Sequence, residues 1–219
     1  MDLKEKNRRI QIHGTETEDK VLWRGKSDVF RTTFSTRDTW HHTRSTSARV
    51  PWHKVIWFSH ATPKYSFCSW LAAHGRLPTG DRMINWANGT ATDCIFCQGT
   101  LETRDHLFFT CSFTSAIWVD LARGIFKTQY TSHWQSIIEA ITNSQHHRVE
   151  WFLRRYVFQA TIYIVWRERN GRRHGEPPNT ASQLVGWIDK QIRNQLSSIC
   201  FKGDKRYDGS LQVWFQSRS

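Results

Sequence analysis

Apolar residues recur at helical spacing along most of this 219-residue chain. After Pro51, Trp52, Val55, Ile56 and Trp57 fall on one face. Pro63 opens a second run with Phe67, Trp70, Leu71 and His74 at i, i+3, i+4 and i+7, and Gly75 closes it. Thr79 and Asp81 suit the start of a short third helix containing Met83, Ile84 and Trp86, and Asn88-Gly89 is a turn. Further on, Phe113, Ile117, Trp118 and Leu121 repeat the pattern, and Trp134, Ile137, Ile138 and Ile141 form an amphipathic stripe. The strongest helix runs from His147 to Asn170, with Phe152, Tyr156, Ala160, Tyr163 and Ile164 along one side and Asn170-Gly171 as its stop. Pro177-Pro178 is a linker, and Thr180 caps a last helix bearing Leu184, Ile188, Ile192 and Leu196.

Two segments depart from this pattern. Residues 1–20 are polar and basic and are expected to form a flexible arm. Residues 200–219 have no clear period and read as a tail. Near the start, Phe30 and Phe34 flank a short β-rich stretch, after which Ser35 and Asp38 open a helix through Trp40 to about Arg44. No βαβ alternation occurs, so a nucleotide-binding sheet is not expected. The fold expected is mainly α: a small helical domain over residues 28–120 organised around a cluster of Cys and His residues (Cys94, Cys97, His106, Cys111; CCHC), then a helical C-terminal region over 130–199.

Composition narrows the class. Twelve Trp and 13 Phe are far more than a disordered chain carries, although the hydrophobic fraction is only 38%. No stretch approaches a membrane span, and no apolar run follows the start, so an intracellular setting is expected, the nucleus ahead of the cytoplasm. In such a setting clustered cysteines point to metal rather than disulfides. The net charge of +12 concentrates polyanions at the surface.

Three of the five cysteines are clustered. Cys94, Cys97, His106 and Cys111 form C-x2-C-x8-H-x4-C. The two-residue gap aims two thiolates at one point, and the four-residue gap lets His106 and Cys111 converge from a short helical turn. Three sulfurs and one nitrogen make a closed tetrahedral shell for one structural Zn²⁺, with no open position for catalysis. Cys68, on an apolar helical stretch, reads as core, and Cys200 as neutral. Trp57, Trp70 and Trp86 are also expected in the core.

The wider string is specific. Trp52-His-Lys-Val-Ile-Trp57-Phe58, Pro63-Lys64, Phe67, Trp70-Leu71, Arg76-Leu77-Pro-Thr79, Asp81-Arg82 and Trp86 lead into the cysteines. Glu102-Thr-Arg-Asp-His106-Leu-Phe-Phe-Thr-Cys111 and Ile117-Trp118 complete the run. It resembles the zinc-binding domain that ends the reverse transcriptases of plant LINE-type (non-LTR) retrotransposons. The resemblance implies a zinc-stabilised helical module that helps a polymerase hold template RNA or target DNA, with the metal role falling on Cys94, Cys97, His106 and Cys111. No paired-Asp polymerase motif is present, so the chain looks like a detached C-terminal part of such an element, without polymerase activity of its own.

Candidate nucleic-acid contacts are Arg148, Arg155, Arg167, Arg169, Arg172 and Arg173 on the 147–170 helix and its end, since arginine forks bind phosphate bidentately. The partner expected is RNA or single-stranded DNA, with no membrane and no small-molecule substrate. The competing reading is a protein-interaction scaffold with zinc only holding the fold, which predicts an exposed apolar patch. The histidines lack ligand spacing and Asp38, Asp81, Asp105, Asp120 and Glu139 are scattered, so no catalytic residue is assigned.

Overall fold

A computed structural model of the chain describes residues 20–25, 28–45, 47–86, 91–143 and 147–218. It divides into two compact units, Met1–Arg49 and Val50–Ser219. Residues 1–19 of the expected basic arm and the Asn88-Gly89 turn lie outside the described residues.

In the first unit, β1 (Trp23–Arg24) pairs antiparallel with β2 (Phe30–Arg31). The ring of Trp23 meets Phe34 edge-on, with centroids 4.9 Å apart. Helix α1 (Thr36–Thr43) starts where the sequence placed it: the Ser35 hydroxyl accepts from the Asp38 N–H at 3.2 Å. It buries none of its residues.

The second unit is built from α2 (His53–Ile56), α3 (Pro63–Ala73), α4 (Gly80–Met83), α5 (Ser112–Phe126), α6 (Trp134–Thr142), α7 (Arg148–Arg173), α8 (Ala181–Phe201) and α9 (Ser210–Gln216). Helix α7 is the central member, packing against α3, α5 and α8, as its largely buried sequence from Phe152 to Val165 requires. The apolar stripes of α6 and α8 are buried as their periodicity indicates, at Trp134, Ile137, Ile138 and Ile141 and at Leu184, Ile188, Ile192 and Leu196. A reciprocal capping box between Thr180 and Gln183 starts α8.

Three expectations are corrected. Helix α7 does not stop at Asn170-Gly171 but runs on to Arg173; Gly175, at φ +81°, makes the left-handed step that ends it. Residues 200–219 are not a tail. A 3₁₀ turn (Lys205–Tyr207) and α9 bury Tyr207 and Trp214, and the Trp214 indole N–H donates to Asp189 at 2.8 Å. These 20 residues hide only two aromatic anchors, too few to register as a period. Within the second unit, α3 and α5 share one core with α7 and α8. Of the tryptophans expected inside, Trp70 packs partly buried against that core, but Trp57 is 52% and Trp86 65% exposed.

Candidate metal centre

Each half of the C-x2-C-x8-H-x4-C string is shaped by its local backbone. Cys94 lies at the mouth of a tight turn: its N–H donates to the Thr100 carbonyl at 2.8 Å, and its carbonyl accepts from the Gln98 N–H at 2.8 Å. An isolated antiparallel bridge between Asp93 and Leu101 closes that loop. The other half is a π-helical turn, His106–Thr110, closed by the Cys111 N–H donating to the His106 carbonyl at 2.8 Å. On a regular α-helix, residues five apart face directions about 140° different. The wider i→i+5 turn, with an extended Cys111 (φ −64°, ψ 138°), removes that divergence.

The result is a compact donor set. The Sγ of Cys94, Cys97 and Cys111 and a ring nitrogen of His106 all lie within 4.8 Å of one another. Cys94 Sγ and Cys111 Sγ are 3.8 Å apart, and Cys97 Sγ lies 3.3 Å from His106 Nε2. Zn–S bonds of ~2.3 Å in a tetrahedron put sulfurs roughly 3.8 Å apart. The residues present therefore fit a closed Cys₃His zinc shell. The Cys94 thiol donates to Cys111, which pushes Cys94 up and brings Cys111 down to about 7, against burial that acts to raise it.

The centre is tied to the core from both sides. Between the ligands His106 and Cys111, Leu107, Phe108 and Phe109 are wholly buried. Phe109 stacks on Phe158 of α7 at 5.7 Å and meets Trp118 of α5 at 4.8 Å. The Trp118 indole N–H donates to the Thr131 carbonyl at 2.8 Å.

On the other side, Glu102 is 0% exposed and acts as a rivet. Its carboxylate accepts from Arg169 Nη2 at 2.6 Å and Nε at 3.1 Å, from Arg173 Nη2 at 3.3 Å and from the Gly80 N–H at 3.2 Å. Arg169 also donates to the Pro78 carbonyl, and Arg173 to the Ala91 and Asp93 carbonyls. Gly80 is required here: a Cβ on it would lie 1.8 Å from the Thr92 carbonyl oxygen. Arg172 completes the clamp, its guanidinium 4.9 Å from the Phe96 ring and 4.5 Å from that of Phe113. Arg172 also pairs with Glu168, whose carboxyl burial would raise; hydrogen bonds from Arg172 and Asn179 outweigh burial and hold it below the usual carboxylate range.

This geometry redirects most of the arginines expected to meet nucleic acid. Arg155 is buried, 3.7 Å from the Trp151 ring and 4.2 Å from that of Phe58, and burial brings its guanidinium down to about 10. Arg169 is 4% exposed, and Arg172 and Arg173 are spent on the zinc loop and its neighbours. Only Arg148 and Arg167 of the six are exposed. The sequence placed four of the six within the helix and the last two at its end; it did not show that Glu102, 67 residues from Arg169, would draw Arg169 and Arg173 inward. Cys68 is buried in the core, as read, with its thiol raised by burial to about 12, and Cys200 is exposed. Among the described residues, no other group of three or more His, Cys, Asp or Glu has metal-holding geometry.

Residues 34–118 match the model of a family described as zinc-binding in reverse transcriptase. The match includes all four donors and ends at Trp118. Neither a curated protein nor a solved structure matches the chain.

Proposed function

We propose that this chain is a zinc-stabilised helical module that binds single-stranded RNA or DNA, derives from the reverse transcriptase of a non-LTR retrotransposon, and has no polymerase activity of its own. The convergence of Cys94, Cys97, His106 and Cys111 within 4.8 Å carries the reading. Such a shell, with four protein donors, supplies folding energy and leaves no site for a reacting water. The match to a reverse-transcriptase zinc-binding family and the net charge of +12 support a nucleic-acid ligand. The absence of catalysis is supported by the use of the well-placed carboxylates: Glu102, Glu168, Asp189 and Asp204 are each engaged by an arginine. The test is a titration with fluorescent single-stranded RNA and DNA across salt, with and without chelator. Affinity that falls steeply with salt, and is lost together with helicity on zinc removal, is expected. No binding at low salt contradicts it.

A second reading, a protein-interaction scaffold, is favoured by the exposure of Trp57, Phe67, Ile84 and Trp86. It requires a folded, zinc-loaded chain that ignores nucleic acid.

A further inference from the structure

We propose that the groove between the start of α3, the middle of α7 and α8 seats one nucleotide of a single strand, with its base against Trp187 and Tyr163 and its phosphates on Lys64, Arg167 and Lys190. The inference rests on the nucleic-acid reading above and gives it a location that the zinc-facing arginines cannot supply.

The groove has a volume of about 230 Å³ and is lined by those residues together with Tyr65. Three helices each contribute one cation. Lys64 Nζ lies 5.1 Å from the Tyr163 ring centroid and 5.5 Å from that of Tyr65, and the Arg167 guanidinium lies 5.3 Å from the Trp187 ring. Lys64, Arg167, Trp187 and Lys190 are all exposed.

These cations differ from the others on α7. Among the described residues, none of Lys64, Arg167 and Lys190 is in an ion pair. The carboxylates next to them in sequence are engaged elsewhere, Glu168 by Arg172 and Asn179 and Asp189 by Arg193 and Trp214. Three unneutralised cations in one concavity attract a polyanion, and their aromatic neighbours supply flat faces on which any base can stack. Pockets that engulf drug-sized ligands measure roughly 300–1,000 Å³. This smaller groove suits a single nucleotide held at its mouth while the strand continues past it.

The test uses the full zinc-loaded chain and a fluorescent single-stranded oligonucleotide at several salt concentrations. The groove variant is K64Q/R167Q/K190Q. R123Q/K202Q/K205Q removes the same charge from exposed positions elsewhere. Zinc content and melting temperature establish that each is folded. The groove variant should lose at least about tenfold in affinity at low salt, and its log–log salt slope should shrink by about 2, as three phosphate contacts at ~0.7 each require. The control should lose markedly less. Trp187→Leu should cost about tenfold for the oligonucleotide while leaving weak binding of inorganic phosphate unchanged. If the groove variant behaves like the control, the groove assignment is overturned while the nucleic-acid reading stands. If the unmodified chain itself ignores the oligonucleotide at low salt, that reading falls first. Adenosine monophosphate binding as tightly as the strand would reassign the groove to a free nucleotide. Polyglutamate competing equally, with Trp187→Leu silent, would make it a charge sink for acidic proteins.

Discussion

Arg169 on α7 and Glu102 on the zinc loop form a bidentate ion pair that is buried on both sides, with the closest N–O distance 2.6 Å. Breaking such a pair strands a charge away from water, which costs about 3–5 kcal/mol. Arg169→Ala should therefore lower stability by about that amount in chemical denaturation, far more than truncation of exposed Arg148. Because Glu102 is bonded into the loop that presents Cys94 and Cys97, the same variant should also lose zinc faster to a chelator. An Arg169→Ala protein with unchanged denaturation midpoint would remove this pair from the account of how the centre is held.

The buried turn between His106 and Cys111 makes a related claim from the apolar side. Phe109→Ala removes a ring lodged against Phe158, Trp118 and Trp134, and should destabilise by about 3–5 kcal/mol. It should also weaken zinc retention, since both neighbouring donors hang on that turn. Denaturation monitored by tryptophan fluorescence, with zinc release followed by a chromogenic chelator, measures the two effects together.

Cysteine chemistry distinguishes the donors from the bystanders. Of the five thiols, exposed Cys200 should react with a thiol reagent at once in the zinc-loaded protein. Cys94, Cys97 and Cys111 should react only after chelation, as bound thiolates are shielded. Cys68, buried and raised to about 12, should react only on unfolding. Immediate labelling of all three clustered cysteines in zinc-loaded protein would show that they are not ligands.

Acid should weaken the fold through Glu168. Its folded carboxyl titrates below the ordinary value of 4.5, so its stabilising contribution is complete above about pH 4.5 and is lost as the pH falls through the folded value. The stability difference between the unmodified chain and Glu168→Gln should therefore be constant at neutral pH and shrink below about 4.5. A difference that stays flat into strong acid would show that the carboxyl is not held charged by Arg172 and Asn179.

The sequence made some of this legible and hid the rest, for physical reasons. Helices with wide apolar stripes, such as α6 and α8, show in the sequence because period and burial coincide. The candidate donor cluster is legible because its four residues fall at short spacings within 18 residues. The fate of Arg155, Arg169, Arg172 and Arg173 was not, because it depends on contacts across the fold: Lys54 and Phe58 for the first, Glu102, Phe96, Phe113 and Ala91 for the others. Local pattern reads an arginine-rich helix end as open surface. The groove formed by Lys64, Arg167 and Lys190 was hidden for the same reason, since each cation comes from a different helix.

The most direct test of the central claim is elemental analysis of zinc in the purified, folded chain, beside Cys111→Ser and His106→Ala. About one zinc per chain is expected in the unmodified protein, with loss of zinc and of cooperative unfolding in both variants. A folded protein free of bound metal, or variants that keep their full zinc, would contradict it.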